Sequence, residues 1–379
     1  MRINLVMGFF LPMPPAAGGA TEKSWHGLAL EFAARGHDVC VISRQWPDWP
    51  DEERRDGVHH LRLRGYPHTS RLIRNLWRDF WWSCRVWRNL PRADVTVVNA
   101  VTLPIWLGWW RRGAGRLVVM PGRMPKGQYR FYRRVDRVIA VSSAVCTALA
   151  AENFRLAAVS KIFGYPIAWS RLAAPPRERV VDRAVTIGYV GRLHREKGLD
   201  LLVAALALLA THRDLPPWRV LLCGPSDIVR GGSGEAYAAK LDRALAAALP
   251  RDRFVLRAPV FDEAALAAVY REIDVFCYPS LAARGETFGV AVAEAMAAGA
   301  VPVVSQLPCF TDFVRHETNG TVFDHTAADA PAQLAAALAG LLADPAHRSR
   351  LSAAARADTR VYDFPEFASR LLEDFSTLK

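Results

Sequence analysis

The sequence predicts an α/β protein with two doubly wound, Rossmann-like domains, each built on its own open parallel sheet. Short β-branched runs alternate with longer Ala/Leu-rich amphipathic stretches along the whole chain, the pattern of strands joined by crossover helices. At 379 residues the chain exceeds the usual size of one hydrophobic core, so two domains are expected, with a cleft between them. Each half also supplies enough strand candidates for a sheet of its own.

In the first half those candidates are residues 3–7, 38–43, 95–100, 116–120 and 138–142. In the second they are 185–191, 219–224, 253–259, 275–279 and 301–305. Helices are expected over 21–35, 196–212, 236–249, 332–343 and 364–375, where Ala and Leu favour the helix intrinsically. The Pro-rich, charged stretch 166–183 suits a linker, because proline cannot donate into a central sheet. That places the boundary at 170 and gives domains 1–170 and 171–379, with the helix 364–375 free to pack on either.

A hydrophobic content of 51% beside 23% charged residues describes a folded protein and excludes a disordered one. No small-residue cleavage site follows the opening MRINLVMGFFLPMPP, and no apolar run reaches the roughly 18 residues that a membrane-spanning helix needs. The expected location is therefore cytoplasmic, or peripheral on the inner face of the cytoplasmic membrane. Cys40, Cys84, Cys146, Cys223, Cys277 and Cys309 are scattered, with no CxxC pair or histidine at ligand spacing, so no metal site is expected. The net charge of +12 favours anionic partners: nucleotide diphosphates, acidic lipid or nucleic acid. No recognised nucleic-acid module accompanies the charge, which argues against the last.

Three stretches have the residue types for chemistry. Gly18 and Gly19 precede the first expected helix, where backbone N–H groups and a helix N-terminus would favour a phosphate; a flexible turn is the plainer reading. Arg192 and Lys197, in GRLHREKG, lie between a strand and a helix at the edge where open sheets bind ligands. A fork and a point charge there suit a diphosphate, although an exposed basic loop is equally often just solvated. In RGETFGVAVAEAMAAG, Glu286 and Glu294 stand eight positions apart. On a continuous helix that is about 800°, so both carboxylates would look toward one cleft, unless they are simply a solvated face.

The order of these stretches, with CGPS after a strand and PSLAARGETFGVAVAEAMAAGAVPVVS beyond it, resembles the family 4 glycosyltransferases of the GT-B fold. The likeness spans nearly the whole chain and is sharpest from 185 to 325. It implies a retaining, metal-independent transfer of a hexosyl unit from a UDP-, GDP- or ADP-sugar to a hydroxyl acceptor, without a cofactor. The acceptor would be a glycan, a lipid-linked saccharide or a lipopolysaccharide-type molecule. By the same resemblance Arg192 and Lys197 grip the donor diphosphate, Glu286 contacts the transferred sugar and Glu294 holds the ribose. Thr287, with the amides of Phe288 and Gly289, meets the phosphates, and Gly18 and Gly19 face them across the cleft. Arg257, Ala258 and Val260 lie where the family cradles the base. A GT-B epimerase or phosphorylase is the alternative of another enzyme class.

Two departures bear on substrates. Pro121, Gly122 and Arg123 stand where many relatives carry a histidine, which suggests Arg123 or Lys126 for an anionic acceptor. Cys309, Phe310 and Asp312 replace a paired glycine and a glutamate. Separately, 71–92 is rich in Trp and Arg. On a helical wheel Ile73, Trp77, Phe80, Trp81, Cys84 and Trp87 share a side, with Arg71, Arg74, Arg78 and Arg85 on a flank. Trp106, Trp109, Trp110, Arg111 and Arg112 repeat the theme. Such a helix either buries its apolar side in the core or lies on an anionic membrane.

Overall fold

The computed structural model describes residues 1–16, 19–111, 113–173 and 183–378. They divide into two units, Met1–Pro166 with Phe364–Lys379, and Ile167–Asp363.

The sheet of the first unit comprises β1 (Arg2–Val6), β2 (Asp38–Arg44), β3 (Glu52–Arg55), β4 (Val58–Leu63), β5 (Val95–Val98), β6 (Arg116–Val119), β7 (Arg137–Ala140) and β8 (Ser160–Ile162). Their order is β3-β4-β2-β1-β5-β6-β7-β8, parallel throughout except for β3 against β4. In the second unit β9 (Val185–Val190), β10 (Trp218–Cys223), β11 (Phe254–Arg257), β12 (Val275–Tyr278), β13 (Val301–Ser305) and β14 (Thr321–Phe323) form a wholly parallel sheet. Its order is β11-β10-β9-β12-β13-β14. The central strands are the apolar runs of the sequence, as burial on both faces by crossover helices requires. In each sheet the first strand lies between the second and a later one, so strand order reverses at β1/β5 and at β9/β12. Open α/β sheets bind ligands beyond the strand ends at such points.

The strands that pattern reasoning misses have identifiable causes. β3 reads EERR and is an exposed edge, where charge discourages pairing with other chains. β4 reads VHHLRL, and its His60 and Arg62 are buried polar groups that break the expected alternation. β8 and β14 span only three residues each.

Residues 174–182 of the expected linker lie outside the described residues, but those before them are docked. Trp169 donates from Nε1 to the Arg356 carbonyl at 3.0 Å, and Ile167 bridges to Asp363. The last helix, Phe364–Thr377, packs on the first, Ala20–Ala34. Phe32 meets Phe375 edge-on at 6.3 Å, and a Cβ on Gly27 would lie 2.4 Å from the Phe364 ring. Asp374, buried on that helix, accepts from Arg137 Nε at 2.8 Å and pairs with Lys161, tying the chain's end to β7 and β8.

The Leu72–Asn89 helix turns the opposite way from the core-helix reading. Its buried residues are Asp79, Trp82, Ser83 and Val86. Trp82 Nε1 donates to the Met7 carbonyl at 3.0 Å, and Asp79 accepts from Thr102 N and Oγ1, both at 2.7 Å. Ile73, Trp77, Phe80 and Trp81 are exposed, while Cys84 and Trp87 are half-buried. Two polar residues thus fix the inward face, because their hydrogen bonds have partners only in the loops after β1 and β5.

Removing the Asp374 carboxylate strands a largely buried guanidinium. Asp374→Ala is expected to destabilise the first unit by about 3 kcal/mol, seen as an earlier transition in urea unfolding.

Candidate active site

The β9/β12 reversal puts two loops side by side. After β9 the chain passes Gly191 into a tight turn, Arg195–Lys197, and only then into the helix Leu199–Leu209, which starts later than the expected residue 196. Gly198 sets that start with φ of 69°, in the left-handed region. The loop after β12 runs from Pro279 to Gly289. It is fastened to the first by Leu281 N donating to the Glu196 carbonyl at 2.8 Å. Gly198 is pressed so closely on this loop that a Cβ would sit 1.9 Å from the Pro279 carbonyl oxygen.

The fastening brings Lys197 and Glu286 together. They are 5% and 7% exposed, and Lys197 Nζ pairs directly with Glu286 Oε1. The same oxygen accepts from Ser280 Oγ at 2.9 Å. Burial of both charges is tolerable because each is paired and hydrogen-bonded. Beneath them Tyr189 and Tyr278 stack at 5.4 Å, and Lys197 Nζ lies 5.6 Å from the Tyr278 ring centroid. Burial, with the Glu286 charge nearby, holds the Tyr278 phenol well above its ordinary range. Cys309 is close enough to feel Glu286, and burial with that charge pushes its thiol up to about 12. Arg192 stands at the rim, half exposed, donating to Glu196 Oε1 and to the Gly231 carbonyl, each at 2.8 Å.

The helical-wheel argument for Glu286 and Glu294 fails. The helix begins at Val290, after Gly289 with φ of 96°, so Glu286 lies in the preceding loop and no helical phase relates the two. Glu294 is half-buried and accepts from Tyr270 Oη at 2.8 Å. Phe288 is buried against Phe313 and Tyr362, with centroids at 4.8 and 5.1 Å, which fixes the backbone of Thr287–Gly289 at the helix N-terminus. A Cβ on Gly289 would lie 2.6 Å from the Phe310 ring, so that phenylalanine seats directly under the turn. At the end of β11 the Arg257 guanidinium is committed to Glu272 through bonds of 2.9 and 3.0 Å. What Ala258 and Val260 offer a ligand is backbone beside Cys223, whose Sγ donates to the Ala258 carbonyl at 3.4 Å.

In the first unit Gly18 lies outside the described residues. Gly19 caps the Ala20–Ala34 helix at φ of 97°, where a Cβ would come 2.1 Å from Glu22 Oε2. The expected phosphate turn therefore has a buried carboxylate tucked against it. Burial raises the pKa of Glu22, opposed by a backbone hydrogen bond and the charge of Arg123. Arg123 and Lys126 are both exposed, on a loop pinned by Glu152, which accepts from Tyr129 N at 3.1 Å. Sequence reasoning missed Ser280, Tyr270 and Glu22. Ser280 carried a usable signal, a polar residue at the C-terminal end of a fully apolar strand; the other two are recognisable only by what they touch.

Gly198→Ala would force both a left-handed alanine and a clash with the Pro279 carbonyl, prising the loops apart. A loss of about 3 kcal/mol is expected, measured as a lowered melting temperature.

The family model described as "Glycosyl transferases group 1" matches residues 173–358, and that described as "Glycosyltransferase Family 4" matches 18–159. A D-inositol 3-phosphate glycosyltransferase of Xylanimonas cellulosilytica is 34% identical over 204 residues, 53% of this chain and 44% of the relative. A phosphatidyl-myo-inositol mannosyltransferase of Mycobacterium tuberculosis is 33% identical over 216 residues, 55% of this chain and 50% of the relative. The chain thus spans about half the length of these relatives. Among solved structures, the Anabaena protein HepE in complex with UDP shares the fold, with a TM-score of 0.73, 17% identity and full coverage of both chains. Its fold is GT-B, and with both halves matched by glycosyltransferase models, the chain belongs to the family 4 glycosyltransferases.

Proposed function

We propose that this chain transfers a hexosyl unit from a nucleotide diphosphate sugar to a hydroxyl acceptor, with retention of configuration and without a metal. The buried Lys197–Glu286–Ser280 cluster at the β9/β12 reversal is the observation that carries the reading. It sets a cation and a carboxylate where a doubly wound sheet binds its ligand, beside the amide-bearing N-terminus of the Val290–Ala297 helix.

The chemistry suits these groups. As the nucleoside diphosphate departs, negative charge grows on its phosphate and positive character on the sugar ring. Lys197, Arg192 and the helix N-terminus meet the first. One such preorganised donor is typically worth about 3–4 kcal/mol. Glu286 has Oε1 held by Lys197 and Ser280, which aims the carboxylate for a sugar hydroxyl. The acceptor hydroxyl enters on the face the phosphate leaves, and a phosphate oxygen takes its proton, so no dedicated protein base is needed. Glu294, oriented by Tyr270, receives the ribose, and the backbone of Ala258–Val260 receives the base.

For the acceptor, Arg123 and Lys126 in the first unit are the candidate contacts. The relatives named for D-inositol 3-phosphate and phosphatidyl-myo-inositol support a polyhydroxylated, phosphate-bearing acceptor, and the latter a lipid-linked one. Solved relatives hold UDP, alone or with glucose, which supports a uridine donor as the first to try.

With a panel of UDP-, GDP- and ADP-sugars, product analysis should show acceptor-dependent glycoside; interconversion of the donor sugar without acceptor would favour an epimerase instead. Lys197→Ala is expected to cut transfer at least a hundredfold and to weaken nucleoside diphosphate binding in a thermal-shift titration. Glu286→Gln should cut transfer comparably while leaving nucleotide binding intact. Near-normal turnover in both variants would defeat the assignment.

A further inference from the structure

The Leu72–Asn89 helix is amphipathic in the unusual sense. Its polar Asp79 and Ser83 are turned inward, and its largest apolar side chains face solvent. Ile73 is 73% exposed and Trp77 60%, with Leu72, Leu76, Phe80 and Trp81 also exposed beside them. At i, i+4 and i+8 these form two adjacent rows along the helix.

The stripe continues onto a second element. Phe80 and Trp87 both contact Trp106 of the Leu103–Leu107 helix, with centroids at 6.4 and 5.8 Å. Trp87 Nε1 donates to the Trp110 carbonyl at 3.0 Å, and Trp109 and Trp110 are themselves exposed. Ring contacts thus carry the exposed stripe of the first helix onto the half-buried Trp106, and the exposed Trp109 and Trp110 follow directly after the second helix.

Its charge points to one occupant. Asp79 is the only acidic residue of the helix and is spent on Thr102, so the outward side carries no carboxylate. Arg71, Arg74 and Arg88 are exposed along its border and make no ion pair among the described residues. Arg134 Cζ lies 3.9 Å over the Trp109 ring, adding a cation at the far rim. Three other arginines of the region are hydrogen-bonded within the unit. Arg85 donates to the Arg64 carbonyl and to Tyr66, Arg78 to the Pro67 carbonyl, and Arg111 to Asp136. Arg112 lies outside the described residues.

We propose that this Trp-rich, acid-free face of the Leu72–Asn89 and Leu103–Leu107 helices seats the protein on an anionic lipid surface. Tryptophan rings rest at the headgroup level and the bordering arginines meet lipid phosphates. The inference stands apart from the glycosyl-transfer reading, since it concerns a face and not a reaction.

Flotation of the full chain with vesicles of phosphatidylcholine, alone or mixed with phosphatidylglycerol, tests it without donor or acceptor. Binding to the anionic vesicles at low salt, weakened at high salt, is expected. Arg74→Gln with Arg88→Gln should reduce partitioning about 25-fold, at about fivefold per arginine. Trp77→Ser with Trp81→Ser should abolish flotation at an unchanged melting temperature. A wild-type chain that stays in solution with anionic vesicles, or a tryptophan variant that floats as well as wild type, would overturn the proposal. So would a dimer in sedimentation velocity that the tryptophan variant dissolves while neither protein floats, which would assign the face to a second copy of the chain.

Discussion

Two opposite charges held almost out of water, Lys197 and Glu286, constrain the whole second unit. Removing either from solvent costs several kcal/mol, recovered only if the partners meet closely and the remaining lone pairs are satisfied. The surrounding structure enforces that meeting. Gly198 lets one loop touch the Pro279 carbonyl of the other, Leu281 fastens them through the Glu196 carbonyl, and Ser280 occupies a lone pair of Glu286. The stacked Tyr189 and Tyr278 close the floor. The charged pair thereby becomes a fixed feature of the sheet's edge, not a mobile surface contact.

Such a pair has to stand at a particular place. Only where strand order reverses do the loops leaving two adjacent strands run to opposite sides, and β9 with β12 provides that position. The first unit repeats the topology at β1 and β5 with different contents, a glycine turn lying against the buried Glu22. One fold has therefore been fitted with two unlike edges.

The Leu72–Asn89 helix shows how polar groups overrule apolar ones in orienting an amphipathic segment. Its exposed rings would gain from burial, yet Asp79 and Trp82 need partners that only the loops after β1 and β5 supply. Leaving a carboxylate unpaired would cost more than leaving aromatic rings in water. The apolar side is consequently displayed.

The sequence by itself determined the fold class, the two parallel sheets and the family, because strand runs and the GRLHREKG and GETFGVAVAEA stretches are local signals that need no partner to be read. It also singled out Lys197 and Glu286 as a cation and an acid in neighbouring motifs. Only the tertiary structure decided that they touch, since β9 and β12 adjoin through a sheet order that no local pattern encodes. The same holds for Ser280 and Tyr270 as the groups orienting Glu286 and Glu294, for Arg257 being taken up by Glu272, and for the last helix returning to the first unit. Each depends on a long-range contact, and the period of a helix or strand gives the spacing of side chains along an element but not the identity of what faces them.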